Sequence, residues 1–282
     1  MTSEVMFGAR PLRHDGGVQT QTTGAFGALL REWRVARRMT QEQLADDAEV
    51  STRHLSYIEN GRAQPSREMV LVLASALDVP LRERNMLLAS AGFAPVYRET
   101  ELDAPEMAPV RQAIELLLAR HEPYGAVCVD AAWNVRRANQ GATRLLARIA
   151  PDAPPELLSN VMRMTLDPRG LRRFCVNWEE VAFAVVERAH REALAEGPRS
   201  TTARVLAEVL ALDGVPRRLA RASPATAMPL VVPLHLRVEG VDLALFSTIT
   251  TLGTPADVTA QELRVESWFP ADERTAEWLR AL

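Results

Sequence analysis

Residues 40–61 read TQEQLADDAEVSTRHLSYIENG, and this stretch decides the fold of the N-terminal third. Thr40 and Gln43 have the spacing of a capping box, in which side chains and backbone satisfy each other's orphan donors, so a helix starts at Gln41. Leu44 and Ala45 make its inner face, and Ala45 is small enough to let a second helix cross closely. Val50 plugs the turn. Ser51 is the next N-cap, and Leu55 and Ile58 continue the apolar stripe at helical spacing. Thr52, Arg53, Ser56 and Tyr57 are left on the outer face of the second helix, towards its start.

The run resembles the phage-repressor (XRE-type) helix-turn-helix, down to the closing Glu59-Asn60-Gly61-Arg62 and Pro65-Ser66. That resemblance implies double-stranded DNA as a partner, with the second helix in the major groove and Thr52, Arg53, Ser56 and Tyr57 towards base edges. Gln41, Asn60, Arg62 and Arg67 are placed to meet phosphates on either side. It also implies a structural ion pair between Arg34 and Glu59. One departure is Glu49, which stands where these motifs usually carry glycine. A non-glycine residue at positive φ there costs ~1 kcal/mol of strain.

At 282 residues the chain is long enough for two domains, and 47% hydrophobic with 24% charged residues is an ordinary globular balance. No apolar run approaches the ~18 residues of a membrane span and no signal-peptide pattern opens the chain, so a cytoplasmic protein is expected. The net charge of −3 does not exclude nucleic acid, because distribution decides. Arg31, Arg34, Arg37, Arg38, Arg53, Arg62 and Arg67 gather around the motif, and every basic residue counted as Lys or Arg is arginine. Cys128 and Cys175 lack metal spacing and read as reduced core residues. The five histidines show no ligand spacing and no Ser is framed as a nucleophile elbow, so neither enzyme chemistry nor a metal or cofactor is expected.

Along the chain, residues 1–23 read as a mobile tail. Residues 24–94 read as a five-helix all-α domain, its first helix turning Phe26, Leu29, Leu30 and Trp33 inward. Residues 95–108, within PVYRETELDAPEMAP, read as a semi-rigid Pro-rich linker. From 109 to 282 the pattern is a helix, strand-turn-strand at 125–139, helical segments near 140–149, 156–165, 171–195 and 201–211, a hairpin about Glu239-Gly240, a strand over 261–268 and a last helix. That order predicts an α+β chain whose second domain is a PAS-like antiparallel sheet covered on one face by helices.

Four stretches resemble the MmyB-like transcription regulators: SREMVLVLASALDVPLRERNMLLASAGFAPVY (66–97), LDAPEMAPVRQAIELLL (102–118), VDAAWNVRRAN (129–139) and GTPADVTAQELRVESWFPADERTA (253–276). The resemblance covers nearly the whole chain. It implies an XRE-type DNA-binding domain joined to a PAS-like sensor that holds a fatty-acid-like small molecule. Repressor-type domains read paired half-sites, so a homodimer is expected.

For the ligand, Phe174 and Trp178 lie on the covering helices with Met162, Met164 and Phe183. Asn160, Arg163 and Asn177 interrupt their apolar pattern. An inward Arg163 requires an anion, since an unpaired buried charge is very costly. A ligand carboxylate or a protein carboxylate such as Glu179 would serve. Where the family often shows His-Pro, this chain has Asp167-Pro168. The rival reading keeps DNA binding and makes residues 109–282 a dry protein-docking module.

Overall fold

The computed structural model describes residues 17–197, 199–219 and 231–282, with side chains from 24 onward. It divides into two units, residues 1–78 with 86–95, and residues 79–85 with 96–282.

The first unit is helical. Helix α1 (Gly17–Ala36) is followed by α2 (Gln41–Asp47), α3 (Thr52–Glu59), α4 (Arg67–Ala76) and α5 (Leu81–Ser90), whose last residues belong here. The mobile tail expected over residues 1–23 falls outside the described residues up to 16, and from Gly17 the chain is helix instead. Nothing in QTQTTG breaks a helix, and extending one from a nucleated turn is cheap. Thr40 accepts from the Gln43 amide while Gln43 accepts from the Thr40 amide, completing the capping box. Ser51 caps α3 through the His54 amide. Between them Glu49 stands at φ +53°, the left-handed geometry for which related motifs use glycine. Phe26, Leu30, Trp33, Leu44, Leu55 and Ile58 are fully buried. Gly27 of α1 lies against the end of α3, where an added Cβ would stand 2.5 Å from the Ile58 carbonyl oxygen.

The second unit is built on a five-stranded antiparallel sheet. Its strands are β1 (Ala126–Val129), β2 (Val135–Ala138), β3 (Leu234–Val238), β4 (Val241–Thr251) and β5 (Arg264–Pro270), in the order β2-β1-β5-β4-β3. The β3–β4 hairpin turns on Glu239 and Gly240, both at positive φ, as a two-residue loop matched to strand twist demands. Between β2 and β3 run α7 (Gln140–Ile149), α8 (Pro155–Leu158), α9 (Val161–Leu166), α10 (Trp178–Glu196) and α11 (Thr201–Leu210). Part of the expected hairpin sequence, 228–230, lies outside the described residues. The C-terminal stretch forms α12 (Val258–Glu262), β5 and α13 (Glu273–Arg280), so the expected strand begins at Arg264 rather than 261.

Two expectations are corrected. Helices cover both faces at β1, not one: Val127 and Val129 pack with the α9–α11 side, while Ala126 and Cys128 pack with Ile114 and Leu118 of α6 (Ala108–Arg120). The stretch expected as a semi-rigid linker, 95–108, is from residue 96 part of the second unit instead. Leu102 and Met107 are buried in that second cluster, Arg111 donates to the Leu102 and Ala104 carbonyls, and Arg98 bridges to Asp257. The proline spacing hid two apolar side chains that hold the segment down.

Candidate nucleic-acid interface and cavity

On α3, Thr52 and Arg53 are exposed and Tyr57 is partly so, on one face near the helix start. Arg53 folds over Tyr57, its Cζ 5.4 Å from the ring centroid, and donates to the phenolic oxygen from Nε and Nη2 at 3.1 and 3.0 Å. Ser56 is half-buried and accepts at its carbonyl from Asn60 Nδ2 at 2.7 Å. Gly61 at φ +68° ends α3, and Arg62 and Arg67 beyond it are exposed. The Gln41 side-chain amide donates to Glu59 Oε2 at 2.7 Å, and its backbone N–H stands at the start of α2.

Beneath this face Arg34 and Glu59 form the bidentate pair, Nε to Oε1 at 2.7 Å and Nη2 to Oε2 at 2.9 Å. Arg34 Nη1 also donates to the Met39 carbonyl. The Glu59 side chain is only 2% exposed, and its hydrogen bonds hold the Arg34 guanidinium above its ordinary pKa despite burial. One carboxylate thus ties α1, the start of α2 and the end of α3 together.

In the second unit a cavity of about 160 Å³ lies between the sheet and its covering helices. Val161, Met164 and Thr165 of α9 and Trp178, Val181, Val185 and Arg188 of α10 form one side. Leu234, Leu245, Glu266 and Trp268 of the sheet form the other, and Trp133 and Cys175 also line it. The volume is close to the ~150 Å³ of an apolar cavity that accepts a benzene-sized guest.

The five residues expected at the ligand divide sharply. Trp178 lines the cavity, its indole N–H held by the Thr165 carbonyl at 2.9 Å. The other four do not line it. Arg163 is paired with Glu208 at 3.0 Å, and neither partner is buried, so it needs no ligand anion, while Glu179 pairs with Arg218. Asn160 caps α9 through the Arg163 amide and donates to the Ala132 carbonyl and Asn134 Oδ1. Asn177 accepts from the His235 amide and donates to the Pro233 carbonyl, fastening the head of α10 to β3. Phe174 lies under Arg173, outside the cavity wall. Polar interruptions of an apolar pattern were thus caps and pins. Asp167 is likewise a turn residue: it binds its neighbour Arg169 at 3.0 and 2.9 Å, which lowers its pKa.

The residues sequence reasoning missed are Trp133, Arg188 and Glu266. Arg188 had a signal, since it extends the Val181, Ala184, Val185 stripe at i+7 and so shares the cavity face of α10. Its Nε donates to Glu192 at 2.9 Å and its Nη1 to Glu266 at 2.8 Å, while Nη2 is buried with no partner. Burial pushes the guanidinium pKa down, but Glu266 and Glu192 more than offset it, leaving a net rise. Trp133 lies under that guanidinium, 4.3 Å from Cζ to ring centroid, and donates its indole N–H to Glu192 at 2.9 Å. Its backbone is left-handed, φ +66°, in a turn closed by Asp130, which accepts from the Ala132 and Asn134 amides. A bulky residue in that region is strain that the surroundings must hold in place. Cys128 and Cys175 are buried free thiols, their pKa values pushed up to about 11 by burial. No group of His, Cys, Asp and Glu suited to a metal ion occurs among the described residues, and no helix there is long and apolar enough to cross a membrane.

Comparison with known proteins follows the same division. Residues 110–282 match the family model of the MmyB-like transcription regulator ligand binding domain. The chain belongs to the MmyB-like transcription regulators. Residues 25–87 of this MmyB-like regulator match a helix-turn-helix domain. Over 66 residues it is 38% identical to the transcriptional regulator ClgR of Mycobacterium tuberculosis, covering 23% of this chain and 56% of that protein. Over 82 residues it is 39% identical to the uncharacterized HTH-type transcriptional regulator RghRB of Bacillus subtilis, covering 29% and 57%. The chain therefore spans little more than half the length of the curated relatives it matches. The crystal structure of the clp gene regulator ClgR from C. glutamicum shares 31% identity, covering 25% of this chain and 88% of that one, with a TM-score of 0.23.

The α3 face yields an expected result for base readout. Arg53 can leave Tyr57 and donate two hydrogen bonds to a guanine edge. Arg53→Ala should cost about 1–3 kcal/mol on the best operator and relax preference at one base. Selection of binding sites for wild type and variant checks this, and an unchanged sequence preference contradicts it.

Proposed function

We propose that this regulator binds operator DNA through α3, as a homodimer in the cytoplasm, and that a fatty-acid-like acyl molecule in the cavity changes its DNA affinity. The cavity is the observation that carries the ligand half of this reading. Most of its wall is apolar, as small-molecule sites are, with few polar groups to fix orientation. A domain serving only to dock another protein has no need to leave this space among Trp133, Trp178 and Trp268, so the cavity favours the sensor over the dry docking module. Coupling requires that ligand and DNA prefer different states of the same protein, and it is reciprocal.

Calorimetric titration of delipidated full-length protein with acyl compounds of graded length tests it, in parallel with operator binding. Affinity should rise by up to ~0.8 kcal/mol per buried methylene until the cavity is filled. Operator affinity should shift in proportion to occupancy. Absence of binding at every length, together with no lipid extracted from the purified protein, would return the case to the docking module.

A further inference from the structure

Helix α5 is divided: its residues up to Asn85 belong to the second unit and the rest to the first. Most polar groups of the opening stretch are held within the second unit. The Leu81 amide donates to Gln261 Oε1 at 2.8 Å, and Arg82 is bidentate on Glu262 and also reaches Glu99. Arg84 donates to the Val79 carbonyl, and Asn85 exchanges hydrogen bonds with the backbone of Val96 and Tyr97. Glu83 is the exception. It is 8% exposed, and its Oε2 is buried without a hydrogen-bond partner among the described residues. A glutamate third in a helix commonly accepts from the N–H of the residue before the helix, but that residue is Pro80, which has none.

A small cavity brings Glu83 together with Glu196 at the end of α10, Arg199 and Ser200 in the turn before α11, and Glu262 of α12. Arg82 lines it from α5 itself, and the turn between β1 and β2 adds only Ala131. Glu262 is engaged by Arg82, and Glu196 by Ser200, Thr202 and, at 3.8 Å, Arg264. Arg199 is exposed and gives Glu83 Oε2 no hydrogen bond. An ionised Glu83 therefore adds a third negative charge beside two glutamates, with one oxygen shut away from water, and that disfavours the charged form. Burial raises its carboxyl pKa, Arg199 and Arg82 lower it, and Glu196 and Glu262 raise it again, to a net rise.

We propose that Glu83 is a pH-sensitive latch: as the neutral acid it lets Val79–Asn85 lie on the second unit, and as the carboxylate it loosens that segment. The docked segment binds the proton more tightly than the loosened one. Docking is therefore strongest below the ordinary carboxylate range and is lost as pH rises from there through the raised value. The N-terminus of α5, which favours a carboxylate, acts in the opposite direction.

The test is native-state hydrogen exchange of the full-length protein from mildly acidic to mildly alkaline pH, with rates corrected for intrinsic exchange. Protection of the Leu81 and Arg84 amides, which donate to Gln261 and to the Pro80 carbonyl, should fall by up to ~tenfold per pH unit as pH rises. The amides of β1 should hold steady over the same range. In Glu83→Gln, which keeps the shape and stays neutral, protection of the two amides should stay at the acidic wild-type level throughout. A flat wild-type profile, or protection that grows with pH, would overturn the latch. So would a fall that persists in Glu83→Gln, which would belong to another group, or a glutamine variant less protected than wild type at every pH, which would make the carboxylate the docked form. The wild-type profile decides the sign even where the glutamine variant does not fold.

Discussion

Arg34→Ala should unfold the N-terminal unit rather than merely weaken its grip on DNA. The substitution removes both charge-assisted hydrogen bonds to Glu59 and leaves a carboxylate that is 2% exposed with only the Gln41 amide for a partner among the described residues. Half-breaking a buried pair costs roughly 3–5 kcal/mol, because the abandoned charge cannot recover its water. A small domain holds only about 5–15 kcal/mol in total. The loss also frees the Met39 carbonyl and unties the three helices that meet at Glu59. Hydrogen exchange separates the two outcomes. Amides of α1 to α4 should lose protection while those of β1 keep theirs, and DNA of every sequence should be bound poorly. Full protection in the variant would mean that the pair contributes little.

Two glycines one helical turn apart should respond with opposite signs. Gly24 has no atom within 4 Å of an added Cβ, so Gly24→Ala gains helix propensity and should stabilise by about 0.5–1 kcal/mol. At Gly27 the same Cβ would stand 2.5 and 2.6 Å from the Ile58 and Glu59 carbonyl oxygens. Those atoms are backbone at the end of α3 and cannot swing away. Gly27→Val should therefore cost about 3 kcal/mol or more, as α1 is driven off the helix it crosses. Because Glu59 is the residue displaced, the Arg34 pair weakens as well. Chemical denaturation of both variants checks the contrast, and a stabilised Gly27→Val would show that α1 and α3 stand further apart than described.

The parts of the fold written in local chemistry were legible. Thr40 with Gln43, Ser51, and Glu239-Gly240 each announce an end or a turn through hydrogen bonds to near neighbours, and each does that in the structure. The Arg34–Glu59 pair came through resemblance, not through any local rule. The cavity was legible only in outline. Asn160, Arg163 and Asn177 drew attention because polar groups on apolar helices need partners, yet their partners turned out to be mostly backbone groups, with the Asn134 side chain and an exposed glutamate. Arg188 went unnoticed because its partners, Glu192 and Glu266, lie one turn away and across the sheet, and the second cannot be read from spacing. Leu102 and Met107 were lost for a similar reason: among prolines and acidic residues, two apolar side chains look like part of a linker until the sheet they cover is known.

The assignment of residues 79–85 to one unit and 86–95 to the other has a consequence for how such a chain can be inherited or engineered. The two units interleave along the sequence. A cut after Asp78 deprives the first of its closing segment, and a cut after Pro95 strips seven residues from the second, among them Arg82 with its ion pairs to Glu99 and Glu262. No single crossover exchanges one unit intact for another. A chimera that gives the second unit a new partner must therefore keep Val79–Asn85 with the second unit.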